Sequence, residues 1–326
     1  MSSCYSTQVS DYNQPAHIGA LFTILVTSCI GTCLPIVAKR YPWLRHLSIV
    51  LDAGRAFGTG VVIATGFVHM LPPAITNLSS QCLPYFFTNT YNSLGAAIAL
   101  AAALSIELLE ISSTVILNRM ISKQKGESTQ AEELSGNPNG PSGDIENLVL
   151  LDQHSSYEST IATASGYKLK MLVIIFEMGV AFHSVIIGLN LGVSTGSTFR
   201  TLFAALVFHQ FFEGFAVGTT VSEAQFGTWT TIVMVLCYSL ETPIGISIGI
   251  GIAHTYQENS SASLLTRGIL DAISGGILIY TGLVELLTYW FTRNSNFLRR
   301  KAIPIFSIVG FVWLGAICMA IIGAWA

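Results

Sequence analysis

The sequence predicts an all-α polytopic membrane protein in which eight transmembrane helices form an inverted repeat of three, two and three helices. Three observations carry this prediction: the composition, the number of long apolar runs, and two internal pairs of matching segments. Of the 326 residues, 51% are hydrophobic and only 10% are charged, whereas soluble domains carry about 25% charged residues. Such a composition requires several apolar runs of about 20 residues, the length that crosses a bilayer.

The apolar runs divide the chain into three regions. The first, 1–117, holds an N-terminal tail and helices 1–3, and the third, 169–326, holds helices 4–8. Between them, residues 118–168 are rich in Ser, Gly, Asn and acidic residues, a composition that predicts a mostly disordered loop. We call the eight runs spans 1 to 8; they cover roughly 17–38, 54–75, 93–117, 169–193, 200–221, 229–253, 267–291 and 303–325.

The basic residues predict the orientation, because cytosolic loops of membrane proteins are enriched in Lys and Arg. Only Arg200 and Arg267 fall on one side of an eight-span arrangement. The other side should therefore be the cytosol, with the 118–168 loop inside and both termini outside, in the plasma membrane or an internal membrane, of which we expect the plasma membrane. The cytosolic side holds thirteen basic residues: Lys39, Arg40, Arg45, Arg55, Arg119, Lys123, Lys125, Lys168, Lys170, Arg293, Arg299, Arg300 and Lys301.

Two cysteines, Cys4 and Cys82, fall on the predicted outer side, where oxidation is permitted. A disulfide between them and two reduced thiols both fit the sequence.

Spans 4 and 5 share a pattern with polar residues in the middle of the membrane. Span 4 reads HSVIIGLNLG from His183 to Gly192, and span 5 reads HQFFEGFAVG from His209 to Gly218. Both follow His-x4-Gly-x3-Gly, and they are offset by 26 residues. Imidazole and carboxylate groups are costly in a membrane and mark a pathway for ions or substrate by default.

A second matching pair lies in spans 2 and 7. Span 2 reads TGFVHML from Thr65, and span 7 reads TGLVELL from Thr281, so five of seven positions are identical or exchange one metal-binding side chain for another. The two spans run in opposite directions, which predicts an inverted repeat relating spans 1–3 to 6–8 and span 4 to span 5. This arrangement is typical of secondary transporters, whose site lies near the midplane. A chance match of short Gly- and Thr-containing segments is the alternative.

The polar residues of spans 4 and 5 predict a site for a divalent metal. His183 and His209 lie at similar depth, and Glu213 follows His209 by four residues, which places it on the same helix face. Imidazole and carboxylate together are transition-metal ligands, whereas a single buried His is as often a hydrogen-bonding group between helices. Ser184, Gln210 and Asn190 would add neutral donors. We expect spans 4 and 5 to pack closely against each other along their small residues Gly188, Gly192, Gly214 and Gly218.

Further polar residues in the spans are weaker candidates. Glu241, just before Pro243 in span 6, could be a ligand from a third helix or a gate. Glu177 lies six residues before His183, toward the cytosol, and could line an exit. The remaining candidates are His69 and Glu285, which would guard the two half-pathways, and Glu107 and Glu110, which loop water could equally solvate.

The motifs of five spans resemble those of the ZIP (Zrt-, Irt-like) family of divalent metal transporters, in particular its fungal and plant zinc and iron uptake branch. The resemblance implies eight helices with both termini outside, metal uptake into the cytosol, and a transport site whose ligands map onto His183, His209, Gln210 and Glu213. The stretches that carry it are HSVIIGLNLG (183–192), HQFFEGFAVG (209–218), ATGFVHMLPPA (64–74), YSLETPIGISIGI (238–250) and YTGLVELL (280–287).

Two departures from the family pattern matter. Many members carry a second carboxylate where this chain has Ile187, so the resemblance implies one tight metal site here unless Glu241 supplies the missing charge. The family's long loop is often rich in His, whereas residues 118–168 contain only His154.

We therefore expect a secondary transporter that moves Zn(II) from outside, or from a lumen, into the cytosol by alternating access, since the chain has no P-loop. The metal is the substrate, and we expect no cofactor and no nucleic-acid partner. The expected partner is the lipid bilayer; the sequence leaves open whether a second copy of the chain forms a homodimer. Mixed imidazole and carboxylate ligands suit Zn(II) but also Fe(II) and Mn(II), so an importer of either is the first alternative. An intramembrane metalloenzyme, which would want His-Glu-x-x-His, and a multi-span receptor are the others.

Overall fold

The computed structural model describes Cys4 and residues 12–41, 48–135, 144–293 and 302–324, and every regular element in these ranges is helical. The described residues include eight helices that are long and apolar enough to cross a membrane, which confirms the predicted span count. In chain order, spans 1 to 8 are Gln14–Arg40, Ile49–Leu78, Leu94–Ile116, Gly166–Val193, Gly196–Glu223, Thr228–Ile252, Ser261–Thr288 and Ile305–Gly323.

Burial separates central spans from peripheral ones. Spans 4, 5 and 7 are each 61% buried in their most apolar window, whereas span 8 is 17% buried although its mean hydropathy is the highest, at 2.5. A helix that is apolar all round and little buried by protein has lipid as its natural surroundings. The spans that carry the polar motifs are therefore the ones that the protein itself surrounds.

The chain divides into two compact units, Met1–Leu104 with Leu172–Ala326, and Ser105–Met171. Residues 118–168 were expected to be mostly disordered. The structure instead has continuous helices over Leu94–Ser135 and Asp144–Val193, which include much of this segment. The segment includes Lys, Gln, Glu and Ala, which favour helix, and an existing helix is extended at much lower cost than a new one is nucleated. Within the smaller unit Lys168 forms an ion pair with Glu110, at 2.5 Å between Nζ and Oε1.

Several residues used in the sequence analysis lie outside the described residues. These are the Asn137-Pro138-Asn139-Gly140-Pro141 segment and four of the basic residues, Arg45, Arg299, Arg300 and Lys301.

The glycines of spans 4 and 5 do not pack against each other, and the prediction of that contact is wrong. A Cβ at Gly188 would lie 2.4 Å from the carbonyl oxygen of Thr242 in span 6. A Cβ at Gly218 would lie 2.2 Å from the carbonyl oxygen of Thr32 in span 1. Each glycine face thus lets a backbone approach closely, but span 4 uses it for span 6 and span 5 uses it for span 1. Small residues identify a contact face without identifying its partner.

Spans 2 and 7 both switch to π-helix at the matching threonines. The π-helical segments are Thr65–Met70 and Thr281–Arg293, each starting at the first residue of the shared sequence pattern. A π-helical turn inserts an extra residue into the helix and is found disproportionately at functional sites. In span 2 it holds His69, which is buried.

Specific contacts hold the two ends of the larger unit. A disulfide joins Cys4 to Cys82, so the structure contains the disulfide rather than the two reduced thiols. The Ser261 hydroxyl donates a hydrogen bond of 3.0 Å to the Cys82 carbonyl oxygen. At the opposite end, Arg55 of span 2 forms an ion pair with Glu223, the last residue of span 5.

Candidate metal site in the centre of the bundle

Three histidines from three spans meet in the interior. The ring centroids of His183 and His209 are 5.9 Å apart, and His69 lies 5.5 Å from the first and 5.8 Å from the second. The exposed fractions of His69, His183 and His209 are 8%, 3% and 1%. The structure therefore brings together the two predicted histidines and adds a third from the π-helical part of span 2.

The spacing of these rings is close to that of imidazoles around one zinc ion. With Zn–N distances of about 2.0–2.1 Å, three tetrahedrally arranged imidazoles would have ring centroids roughly 5.3 Å apart. The observed separations of 5.5, 5.8 and 5.9 Å exceed this by about 0.2–0.6 Å. Among the described residues, no group of three or more His, Cys, Asp or Glu side chains is arranged to hold a metal ion as it stands. Binding would therefore require these side chains to move.

Polar atoms without hydrogen-bond partners are concentrated around the histidines. Neither ring nitrogen of His183 or His209 has a partner, and neither carboxylate oxygen of Glu213 has one, although Glu213 is fully buried. The side-chain polar atoms of Ser184 and Gln210 are buried and unpartnered as well. A charged side chain at the membrane centre costs at least about 2.5–3.5 kcal/mol. Such a set of donors is suited to a cation, which would satisfy several of them at once.

Tyr238 of span 6 holds this part of span 5 in position. Its hydroxyl donates a 2.6 Å hydrogen bond to the carbonyl oxygen of Gln210, and its side chain is fully buried. A Cβ at Gly214 would lie 2.8 Å from the Tyr238 ring, so only glycine leaves room for it. The predicted ligands His209, Gln210 and Glu213 are therefore presented by a helix segment that contacts spans 1 and 6 on the same turn.

Two more acidic residues lie near Glu213. Glu177 and Glu241 are 7% and 8% exposed, and each interacts electrostatically with Glu213 and with the other. By contrast, Ile187 lies in an apolar cluster with neighbours that include Ile24, Leu206 and Ile246. The position at which the family resemblance would place a second carboxylate is thus surrounded by aliphatic side chains here.

His69 was expected to guard one of the two half-pathways, whereas the structure places it beside the two predicted histidine ligands. The feature of the sequence that pointed to His69 is its position, as a polar residue, directly after the Thr-Gly-x-Val pattern that spans 2 and 7 share. The depth of His69 relative to His183 and His209 could not be derived from the sequence, because the π-helical segment Thr65–Met70 rotates every following side chain relative to a regular helix. The repeat mate, Glu285, lies half-buried in the π-helical part of span 7.

Sequence comparison assigns this arrangement to a class of membrane transporters. The family described as ZIP Zinc transporter matches residues 14–323, which include all eight spans and all the candidate site residues. The chain belongs to this family. It is therefore a transporter rather than an intramembrane metalloenzyme.

Individual relatives are fungal and plant proteins. Zinc transporter 9 of Oryza sativa subsp. japonica is 36% identical, over 94% of this chain and 88% of its own length. Zinc-regulated transporter 1 of Candida albicans is 34% identical over 97% of this chain, which spans only 62% of that relative's length. Fe(2+) transport protein 1 of Oryza sativa subsp. japonica is 32% identical, over 94% of this chain and 83% of its own length.

Proposed function

We propose that this protein imports Zn(II) into the cytosol across the plasma membrane. The observation that carries the proposal is the buried cluster of His69, His183 and His209, whose ring centroids lie within 5.9 Å of one another. Glu213 is fully buried four residues after His209 on the same face of span 5. Three imidazoles and one carboxylate form a four-ligand set that suits zinc. Gln210, Ser184 and Glu241 are proposed as neighbouring donors that take part as the ion enters or leaves.

The proposed mechanism is alternating access without ATP. The hydrated ion enters from outside, exchanges water for the His183 and His209 nitrogens and the Glu213 carboxylate, and is then exposed to the cytosol when spans 4 and 5 move. The glycine contacts of span 4 with span 6 and of span 5 with span 1 support a larger moving unit of four spans. The paired glycine contacts and the paired π-helical turns also support the inverted repeat, which is typical of such transporters.

A competition series tests the substrate. In cells that lack their own high-affinity uptake, we expect saturable zinc uptake that a roughly tenfold excess of Mn(II) or Fe(II) reduces by less than half, because nitrogen-rich sites prefer Zn(II) to either of these ions. Parallel uptake of radioactive iron is the direct comparison. Cells that express the chain and accumulate no zinc above the untransfected level would contradict the proposed function.

Iron(II) is the second candidate substrate. The relative named Fe(2+) transport protein 1 supports it, and the imidazole and carboxylate donors also suit Fe(II). If Fe(II) competes more strongly than unlabelled Zn(II) in the same series, iron rather than zinc is the preferred substrate. The proposed binding site would stay the same.

We also propose that both termini are extracellular and that residues 118–168 are cytosolic. The distribution of basic residues supports this orientation, and so does the Cys4–Cys82 disulfide, because disulfides persist in oxidising compartments. A protease site inserted near residue 140 should be cut only after the cells are permeabilised. The control is the same site placed before residue 12, which should be cut in intact cells. Cleavage near residue 140 in intact cells would reverse the proposed direction of transport.

A further inference from the structure

His17 joins the first turn of span 1 to the end of span 4. It is 1% exposed, although it lies only three residues after the start of its helix. Its Nδ1 atom lies 2.8 Å from the carbonyl oxygen of Asn13, and its Nε2 atom lies 2.9 Å from the carbonyl oxygen of Ser194. Ser194 directly follows Val193, the last residue of span 4. The imidazole ring therefore bridges two backbones that are far apart in the chain.

The two contacts of His17 require a proton on each ring nitrogen. A backbone carbonyl oxygen only accepts hydrogen bonds, so the ring nitrogen has to be the donor in both contacts. Neutral imidazole carries one N–H group, whereas imidazolium carries two. The neutral ring can therefore form either bond but not both, and only the protonated ring satisfies the observed geometry. Histidine is the side chain that typically changes between these forms between about pH 5 and 8.

The surroundings of the His17 ring favour its cationic form. The ring of Tyr12 is stacked on it, with centroids 4.4 Å apart, and the ring of Phe199 in span 5 lies at 4.2 Å. The face of an aromatic ring attracts a cation within about 6 Å. The end of span 4 also carries the partial negative charge of a helix C-terminus, which a cation stabilises.

Tyr12 adds a second bond to the same end of span 4. Its hydroxyl donates a 2.7 Å hydrogen bond to the carbonyl oxygen of Gly192. The last carbonyl groups of a helix have no donor within the helix, so Tyr12 and His17 together cap span 4. Phe199, which contacts His17, packs against an apolar cluster drawn from spans 1, 4, 5 and 6, the four spans proposed to move together. The cluster consists of Ala20, Ile24, Ile187, Leu191, Leu202, Leu206 and Ile246.

Few other charged or titratable groups lie near the His17 ring. Among the described residues, no carboxylate forms an ion pair with it. Its titratable neighbours are Tyr12 and, beyond Tyr12, the exposed His254, whose ring lies 5.7 Å from that of Tyr12. Arg200, which follows Phe199 in span 5, is exposed. Burial raises the pKa of the Tyr12 hydroxyl above its ordinary value, so Tyr12 remains a donor across the range in which histidine titrates.

We infer that His17 is a proton-operated cap, which holds span 1 to the end of span 4 when the ring is protonated and loses one of its two bonds when the proton leaves. This role rests on the proposed function only for its orientation, which places this end of the spans outside. Acid outside the cell would therefore strengthen the outer end of the four-span unit. The added stability is present at low pH and is lost as the pH rises.

Thermal unfolding of the full-length protein in detergent, at about pH 5.5 and about pH 8, tests the cap. His17→Gln has no charge at either pH and has one donor nitrogen in place of two. We expect it to unfold about 2–5 °C below the parent at the lower pH, because it lacks a hydrogen bond from a charged donor. At the higher pH the difference should shrink to within about 1 °C, since the neutral ring also forms only one bond. Comparing variant with parent at each pH cancels the titration of other groups.

Two further variants separate the charge of His17 from its packing. Phe199→Leu retains His17 but removes an aromatic face, so it should lower the unfolding temperature by about 1–3 °C more at the lower pH than at the higher. Tyr12→Phe removes only the hydroxyl bond to Gly192 and should lower the unfolding temperature equally at both pH values.

His254→Gln is the matched control, because it removes an exposed histidine from the same end of the protein. It should unfold at the parental temperature at both pH values. A loss in His17→Gln that is the same at both pH values would overturn the inference, and so would an equal pH dependence in His254→Gln. If His17→Gln does not fold, Phe199→Leu decides, and an equal loss at both pH values would overturn the inference. Unfolding needs no transport, so failure of the cap would leave the proposed function unaffected.

Discussion

His209→Ala and Glu213→Ala are each expected to abolish most zinc uptake while leaving the amount of protein at the cell surface intact. Both side chains are buried and their donor atoms have no hydrogen-bond partner, and the His209 ring lies 5.9 Å from that of His183. Their removal therefore breaks no hydrogen bond of the described fold, whereas it takes away one of four proposed ligands. Loss of one such group should reduce transport by at least about tenfold, because even the groups that hold a metal ligand in place are typically worth about 10–100-fold in metal affinity or activity.

The measurement is initial uptake of radioactive zinc, divided by the surface protein determined by biotin labelling. His254→Ala and Glu258→Gln are the matched controls, since both residues are exposed in the connection between spans 6 and 7. They should transport at the parental rate. Uptake within about twofold of the parent for both His209→Ala and Glu213→Ala would exclude these residues from the transport site.

Gly60→Ala is expected to destabilise the folded protein without affecting transport by the molecules that do fold. A Cβ at Gly60 would lie 2.0 Å from the Val312 carbonyl oxygen, and a Cβ at Gly315 on the facing helix would lie 2.1 Å from the Phe57 carbonyl oxygen. Spans 2 and 8 thus touch backbone to backbone, and any side chain must separate them. Overpacking of this kind costs about 1–3 kcal/mol, occasionally more.

Gly310→Ala is the control for this substitution, because a Cβ at Gly310 in span 8 has no atom within 4 Å. Its stability should stay the same or rise by up to about 1 kcal/mol, because Ala favours a helix interior over Gly where nothing clashes. Thermal unfolding in detergent should therefore rank Gly60→Ala below the parent and Gly310→Ala level with the parent or above it. If both alanine variants unfold at the parental temperature, spans 2 and 8 are further apart than described.

The number and position of the spans could be predicted because they depend on a local property. Each requires only a continuous apolar run, and the bilayer sets its length. The burial of His183, His209 and Glu213 inside the spans could be predicted for a similar reason, since a polar group inside an apolar run is visible without knowing the fold; their role as metal ligands stays a prediction.

Relations between distant spans were harder to predict. The sequence identified the glycine faces of spans 4 and 5 but not their partners, because a glycine face accepts any helix of suitable shape. His69 was visible as a polar residue, but its approach to His183 depends on the π-helical turn of span 2. The helix over Asp144–Val193 also contradicts the local composition, which suggested disorder, because propensity is a weak guide where a long helix is already formed.

The Cys4–Cys82 disulfide makes the first part of the chain a closed ring. The ring contains the whole of span 1 and span 2, since these lie between the two cysteines. A single break in the polypeptide anywhere inside the ring would therefore leave both fragments covalently joined, and they would migrate as one species until a reductant was added. Protease maps of the outer surface and of the connection between spans 1 and 2 consequently have to be read under reducing conditions.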